Sequence, residues 1–485
     1  MNPKTRDLDL TRRRFVGACC ASVGSTGLVS TLAQLRLMGG AASPDTLSTP
    51  ARAGAPAPDF KALVCLFFAG GNDANNLVVP ADNAGYTAYS AARTALSLPQ
   101  SSLLPITTPG GDGRAWALHP AMTELKSLYD RSKLAVIANT GTLAYPLTRE
   151  TYNARPELRP RQLFSHNDQQ VEWQTSVADK PFSEVATGWG GRVADLTNAL
   201  NSNNRISMMM TLDGQNTFQI GRVVQQYAVG TGGTISLTGS GTGTSANGLR
   251  TTALNDTLAR QSPSLLEAAF GGLTNRALGT SSLLSSIITG ASPFAQIFNG
   301  VTNTRLAQQL HMVARLVNAQ GQLNLTRQIF FVRIGGFDLH DNQVTLGNTS
   351  SGAHTNLLRD ISRSLDAFYR ALAQINAENQ VTVFTGSDFG RTYNTNGDGS
   401  DHGWGSHHFV LGGALRGGAM YGQMPDLRLG GPSDSGTRGT WIPTTSVDEY
   451  AATLARWFGV SATNIPVILP NIGRFAKPDL GFMSA

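Results

Sequence analysis

Runs of consecutive apolar residues punctuate the chain and stop at glycine. Ala62-Leu63-Val64-Cys65-Leu66-Phe67-Phe68 ends before Gly70-Gly71, and Ile329-Phe330-Phe331-Val332-Arg333-Ile334 ends before Gly335-Gly336. Val381-Thr382-Val383-Phe384 leads to Gly386, and Leu134-Ala135-Val136-Ile137-Ala138 follows a helical pattern from His119 to Tyr129. Apolar runs of this kind, broken only by Arg333 and Thr382, predict strands covered on both faces, as in a parallel sheet. Before 381 the period changes. Leu358, Ile361, Leu365, Phe368, Leu372 and Ile375 recur every three or four residues, which predicts an amphipathic helix over 357–375. Strand, helix and strand in this order predict a right-handed crossover. Phe409-Val410-Leu411 and Ala419-Met420-Tyr421 are expected to form a short pair, and 445–458 a C-terminal helix. The fold class expected is α/β: a doubly wound, mostly parallel sheet with helices on both faces.

Two stretches break this rhythm. Residues 230–248 (GTGGTISLTGSGTGTSANG) carry too few apolar side chains for a packed core and read as a hairpin tip or mobile loop. Residues 254–320 are helical in pattern and are expected to cover one face of the sheet, as part of an insertion around 225–325. No internal repeat is present.

The N-terminal segment has a different character. Thr11-Arg12-Arg13-Arg14-Phe15-Val16 is a twin-arginine pair, and Val16 to Leu35 is mildly apolar with no acidic residue. Small residues from Gly39 to Ala42 offer a cleavage point. In that order these features read as a twin-arginine signal peptide over 1–42, followed by a Pro/Ala/Ser linker over 43–60 and one domain over 61–485. The expected location is periplasmic or extracellular, and the expected partner during export is the twin-arginine translocase. Val16-Gly17-Ala18-Cys19 has the shape of a lipidation box, but no apolar region precedes it. No later stretch is apolar enough for a stable membrane span.

The leader also changes the charge balance. It holds six basic residues and two acidic ones, hence four of the six net positive charges, so the remainder is near +2. A surface so close to neutral argues against nucleic acid as a partner. Cys19 and Cys20 fall in the leader as well, which leaves Cys65 with no partner for an internal disulfide.

Candidate chemistry gathers after the predicted strands. The first strand leads into Gly70-Gly71-Asn72-Asp73, another into Gly335-Gly336-Phe337-Asp338-Leu339-His340, and a third into Gly386-Ser387-Asp388-Phe389-Gly390-Arg391. Asp401-His402-Gly403-Trp404-Gly405-Ser406-His407-His408 follows. Four of the eight histidines lie in these segments. Loops at the carboxyl ends of parallel strands bind ligands in open α/β sheets, and Asp with His supplies oxygen and nitrogen donors for a divalent metal such as zinc, manganese or calcium. The metal candidates are Asp73, Asp338, His340, Asp388, His402 and His407. Each has an ordinary alternative: the aspartates can form turns, and only one of His407 and His408 can face a site from a strand. His119 reads as a helix start, and His311 and His354 as surface or core residues.

Taken in order, LFFAGGNDANNLVVP, LHPAM with LAVIANTG, SHNDQQVEWQT with TGWGGR, GGFDLHDNQ, SDFGRT and DHGWGSHHFVLGG resemble the secreted twin-arginine proteins known as domain of unknown function 1501, from about Lys61 to Gly459. The resemblance implies an alkaline phosphatase-like α/β sandwich with a two-metal site at the strand ends, in a superfamily that hydrolyses phosphate and sulfate esters. Asp73 matches the first metal-ligating aspartate. Asp338 and His340 resemble the aspartate and histidine of the other metal, although spaced by two positions instead of four. Asp388 matches a later aspartate, but Phe389 stands where many members carry histidine. His402 or His407 resembles the final histidine ligand. The implied nucleophile is Ser165, in Ser165-His166-Asn167-Asp168, a sequence that equally describes a helix cap. Arg391 would orient an anionic ester or brace its loop.

Two functions follow as expectations: an exported metal-dependent hydrolase of small anionic phosphate or sulfate esters, or a non-catalytic exported binding or assembly protein on the same fold. No Cys-x-Pro-x-Arg sequence supports a formylglycine sulfatase. A nucleotide-dependent oxidoreductase is disfavoured because Gly70-Gly71-Asn72 lacks the rest of a dinucleotide fingerprint.

Overall fold

A computed structural model describes residue 56 and residues 59–109, 113–201, 206–234, 239–260, 264–288, 290–301 and 303–484. The leader over 1–42 and nearly all of the linker lie outside the described residues.

The strands are β1 (Lys61–Phe68), β2 (Val78–Pro80), β3 (Leu104–Ile106), β4 (Trp116–Leu118), β5 (Leu134–Gly141), β6 (Met209–Thr211), β7 (Tyr227–Gly230), β8 (Gly233–Thr234), β9 (Arg327–Ile334), β10 (Val381–Ser387), β11 (Ser406–Leu411), β12 (Met420–Tyr421) and β13 (Thr445–Ser446). Ten of them form one sheet in the order β12-β5-β11-β10-β1-β9-β6-β7-β8, with β13 also pairing to β5. Pairing is parallel except where β11 runs against both β10 and β5, and where β8 folds back on β7. The fold is therefore α/β with a large, mostly parallel sheet. β2, β4 and β3 form a small antiparallel sheet beside it.

The longer helices are α1 (Asn83–Arg93), α2 (Thr123–Asp130), α3 (His166–Thr175), α4 (Trp189–Thr197), α5 (Ala246–Leu258), α6 (Leu265–Ile288), α7 (Arg305–Asn318), α8 (Ala353–Gln374) and α9 (Val447–Phe458). α8 buries Leu358, Ile361, Leu365, Phe368 and Leu372, the stripe its sequence spacing predicts. It packs against α7 and α2, while α3 lies on β10 and α9 against β1 and β5. Every residue of β1 after Lys61 is buried, so this central strand is covered on both faces. No helix among the described residues is long and apolar enough to cross a membrane.

One expectation is revised, and another is met in its first residues. β11 and β12 do not pair with each other, because β5 lies between them and bonds to both. The Gly-rich stretch from 230 opens as a tight hairpin, with Gly230 opposite Gly233; residues 235–238 lie outside the described residues, and helix resumes at Ala246.

Candidate metal centre

Four segments meet beyond the carboxyl edge of the central strands. β1 lies between β9 and β10, with Phe68 opposite both Ile334 and Ser387, so the loops after all three strands leave the sheet side by side. Because β11 runs the opposite way, its entry point stands at this same edge, and His402 precedes it. The loops approach closely at Gly70, where φ is 114° and a Cβ would stand 2.5 Å from the Asp338 backbone nitrogen. Glycine is the residue that permits both the conformation and the contact.

The fourth segment is the start of α3. Trp173, on this helix, packs its indole against Phe67 and Phe384. It also lies across Gly386, where a Cβ would come within 2.6 Å of the ring. This docking holds the helix against β10, and its first residue, His166, reaches Asp388 just past the strand end.

Three imidazoles then share one arrangement. His166 Nδ1 is 2.7 Å from Asp388 Oδ2, and its Nε2 faces Asp338 Oδ1 at 3.4 Å. His402 Nδ1 donates to the Phe164 carbonyl at 2.7 Å, and its Nε2 lies 3.3 Å from the same Asp338 oxygen. His340 Nδ1 meets Asp401 Oδ1 at 3.1 Å, and its Nε2 stands 3.1 Å from both Asp338 Oδ1 and His402 Nε2. In each ring Nδ1 is held by an oxygen acceptor while Nε2 turns toward one carboxylate. His166, Asp338 and His402 offer donor atoms all within 4.8 Å of one another.

The surroundings reinforce this geometry. Burial pushes the Asp338 carboxyl up, but Arg391 and the imidazoles outweigh it and hold the group down at about 2. The Asp388 hydrogen bond raises His166, whereas burial lowers His402. The Phe389 ring lies 4.8 Å from the His166 ring and 4.6 Å from that of His402, as a buried apolar floor. Phe164 adopts φ of 74°, an uncommon left-handed conformation for a bulky residue, in presenting its carbonyl to His402.

Of the residues expected from sequence, Asp338, His340 and His402 meet here, and Arg391 Nη1 joins them, 2.8 Å from Asp338 Oδ1. Arg391 also bonds the carbonyls of Gly70 and Ser400, so it braces three loops. Asp388 takes part through His166; its Oδ2 also accepts from Gln170 Nε2 and the Gly70 N–H. Asp73 lies outside the cluster. It is 2% exposed, and its carboxylate accepts from Arg93, Gln343 and Asn75. His407 is also outside it: buried in β11, its Nδ1 accepts the Asn139 N–H, and burial holds it down at about 4. Ser165 occupies the N-cap position of α3, but its hydroxyl donates to Asp168 at 2.5 Å and makes no cap bond. His166 is the participant that sequence reasoning passed over. It stands beside Ser165, and the cap reading of that tetrapeptide drew attention to the hydroxyl instead of the ring.

The molecule is thus an α/β protein with a histidine- and aspartate-lined centre at the carboxyl edge of its sheet. It belongs to the family described as Protein of unknown function (DUF1501), whose model matches residues 60–431. No curated protein matches the chain. Two crystal structures of Ps i-CgsB, one in complex with k-i-k-neocarrahexaose, align with 86% of this chain and 77% of their own at 10% identity, with TM-scores of 0.33 and 0.31. Scores this low transfer neither fold nor function.

Proposed function

We propose that the chain is an exported, metal-dependent hydrolase of phosphate or sulfate esters on an alkaline phosphatase-like fold, delivered to the periplasm or exterior by the twin-arginine route. The convergence of three Nε2 atoms on Asp338 Oδ1 supports this reading. With Nδ1 held by an oxygen acceptor, the neutral form of each ring would turn a lone pair outward at Nε2, and the Nε2 atoms of His340 and His402 stand 3.1 Å apart. The His166 Nε2 is buried without a hydrogen-bond partner. A cation would satisfy the His166, Asp338 and His402 donors at once, with His340 Nε2 3.1 Å from the latter two. Ligands about 2.0–2.1 Å from a tetrahedral zinc stand about 3.3–3.4 Å apart, close to the separations in this cluster.

His166, His340, His402 and Asp338 would hold the ion, and its chemistry is to polarise an ester oxygen. Arg391 keeps Asp338 in place. Phe389 excludes water from beneath the rings. Ser165 is the candidate attacking hydroxyl, and Asp168 is placed to accept its proton. The nitrogen-rich set favours zinc over manganese and calcium. One ion per chain is expected, because Arg93 already neutralises Asp73.

A second reading, a non-catalytic binding protein, draws support from a specific observation. Both Nη atoms of Arg391 are engaged by protein oxygens and its side chain is only 1% exposed, which leaves the guanidinium poorly placed to grip an ester anion. Elemental analysis of the leaderless protein and its His166→Ala variant, with turnover of nitrophenyl phosphate and sulfate, tests both readings. Hydrolysis with a stoichiometric ion that the variant loses supports the hydrolase. A bound ion without turnover favours the binding protein, and absence of any ion sinks the metal-dependent reading.

A further inference from the structure

We propose that Asp388 is a positioning residue and not a ligand: it fixes His166 with Nε2 toward the ion, as the Phe164 carbonyl does for His402 and Asp401 for His340. The three acceptors together preset the centre for one nitrogen-preferring divalent cation. This inference rests on the metal-centre reading above.

Asp388 faces the centre through Oδ2, which is already surrounded, while its Oδ1 is buried without a hydrogen-bond partner. At Oδ2 it receives His166 Nδ1, Gln170 Nε2 and the Gly70 N–H, at 2.7, 2.9 and 3.2 Å. Its side chain is fully buried, and Nδ1 of His166 stands between it and the ring's free nitrogen. A carboxylate that accepts from Nδ1 fixes the tautomer and makes Nε2 a stronger donor. The other two rings follow the same rule with different acceptors. A backbone carbonyl can only accept, so His402 must carry its proton on Nδ1. Asp401 is itself held on both oxygens: Arg438 engages Oδ2, and Oδ1 accepts from Asn396 Nδ2 at 2.8 Å as well as from His340 Nδ1. The acceptors come from unrelated places: the residue after β10, the loop before α3 and the loop before β11. A merely local turn preference would not give all three rings the same orientation. Three imidazole nitrogens with one carboxylate oxygen suit zinc or cobalt, whereas calcium and magnesium prefer oxygen-only sets.

The test uses the leaderless protein loaded with cobalt(II), whose visible absorption reports the ligand set directly. Wild type is expected to bind cobalt and zinc in preference to calcium. Asp388→Asn is expected to bind cobalt 10–100-fold more weakly, with absorption bands unchanged in position. His166→Ala is expected to shift those bands. Asp401→Asn, on a more exposed side chain, supplies a second variant with the same expected pattern and little risk to folding. Unchanged affinity in both Asn variants, bands displaced by Asp388→Asn, or a preference for calcium would overturn the proposal. Tight cobalt binding without ester turnover would remove the hydrolase reading and leave this inference standing. Turnover with unchanged affinity in both Asn variants would do the reverse.

Discussion

Two aspartates occupy matching places and have different fates. Asp73 ends Gly-Gly-Asn-Asp after β1, and Asp338 ends Gly-Gly-Phe-Asp after the adjacent parallel strand β9. Asp73 is buried against the Arg93 guanidinium, supplied by α1, with Gln343 and Asn75 completing its shell. Asp338 has a side chain 47% exposed and faces three imidazoles. A strand end supplies a carboxylate in either case. What comes to face it decides whether that charge is consumed in the fold or left for a ligand.

Breaking the first pair has the largest expected effect on stability. Arg93→Ala strands a buried carboxylate and is expected to cost about 3–5 kcal/mol in urea unfolding. Adding Asp73→Asn to that variant should restore part of the loss. A cost below about 1 kcal/mol for Arg93→Ala would mean that Asp73 is not held by that ion pair. Burial raises the Asp73 carboxyl, but Arg93, His354, Gln343 and Asn75 outweigh it and hold the group below its ordinary range. Its contribution is therefore present above the unfolded value of 3.8 and lost as pH falls through the folded value.

Glu172 sharpens the contrast, as a buried acid on α3 with no cation in contact. Burial pushes it up to about 9, although the Gln169 bond opposes the shift. The native state keeps this proton above 4.5, where the unfolded chain releases it, so this contribution is full below 4.5 and fades as pH rises toward 9. Glu172→Gln removes that slope. Thermal or urea unfolding should show the variant more stable than wild type by on the order of 2 kcal/mol at pH 8, and nearly equal at pH 4. A flat difference across that range would refute the account.

The smallest stability effect is expected at Asp338 itself. Asp338→Asn should cost less than Arg93→Ala, on the order of 1 kcal/mol, since the Asp338 side chain is half-exposed although Arg391 beside it is buried. The same change should weaken cation binding by at least about 100-fold, as loss of a direct ligand requires more than loss of a supporting acceptor. A large stability loss would place Asp338 in the same class as Asp73.

The sequence made the central strands legible because β1 and β5 carry continuous apolar runs, and those of β9 and β10 are broken only by Arg333 and Thr382. β6 and β7, at three and four residues, are too short to show a period. The pairing of β11 depends on a tertiary neighbour, β5, that no local pattern announces. At the centre, Asp338, His340 and His402 stood out through their glycine-rich strand ends. His166 did not, because its place is set by Trp173 packing two turns away. The removal of Asp73 from the cluster was equally hidden: Arg93 is the last residue of an ordinary-looking helix, and its burial is visible only in three dimensions.

The reversed direction of β11 has a consequence for the order in which the protein matures. The donors come from positions 166, 338, 340 and 402, and the last of them is fixed only when β11 has inserted between β10 and β5. No amino-terminal fragment ending before position 402 holds a complete set, and one ending before β11 lacks the strand that fixes His402. If the proposed metal-centre reading holds, an ion would find its full seat only after more than three quarters of the chain has emerged, and its capture would mark the closing of the sheet.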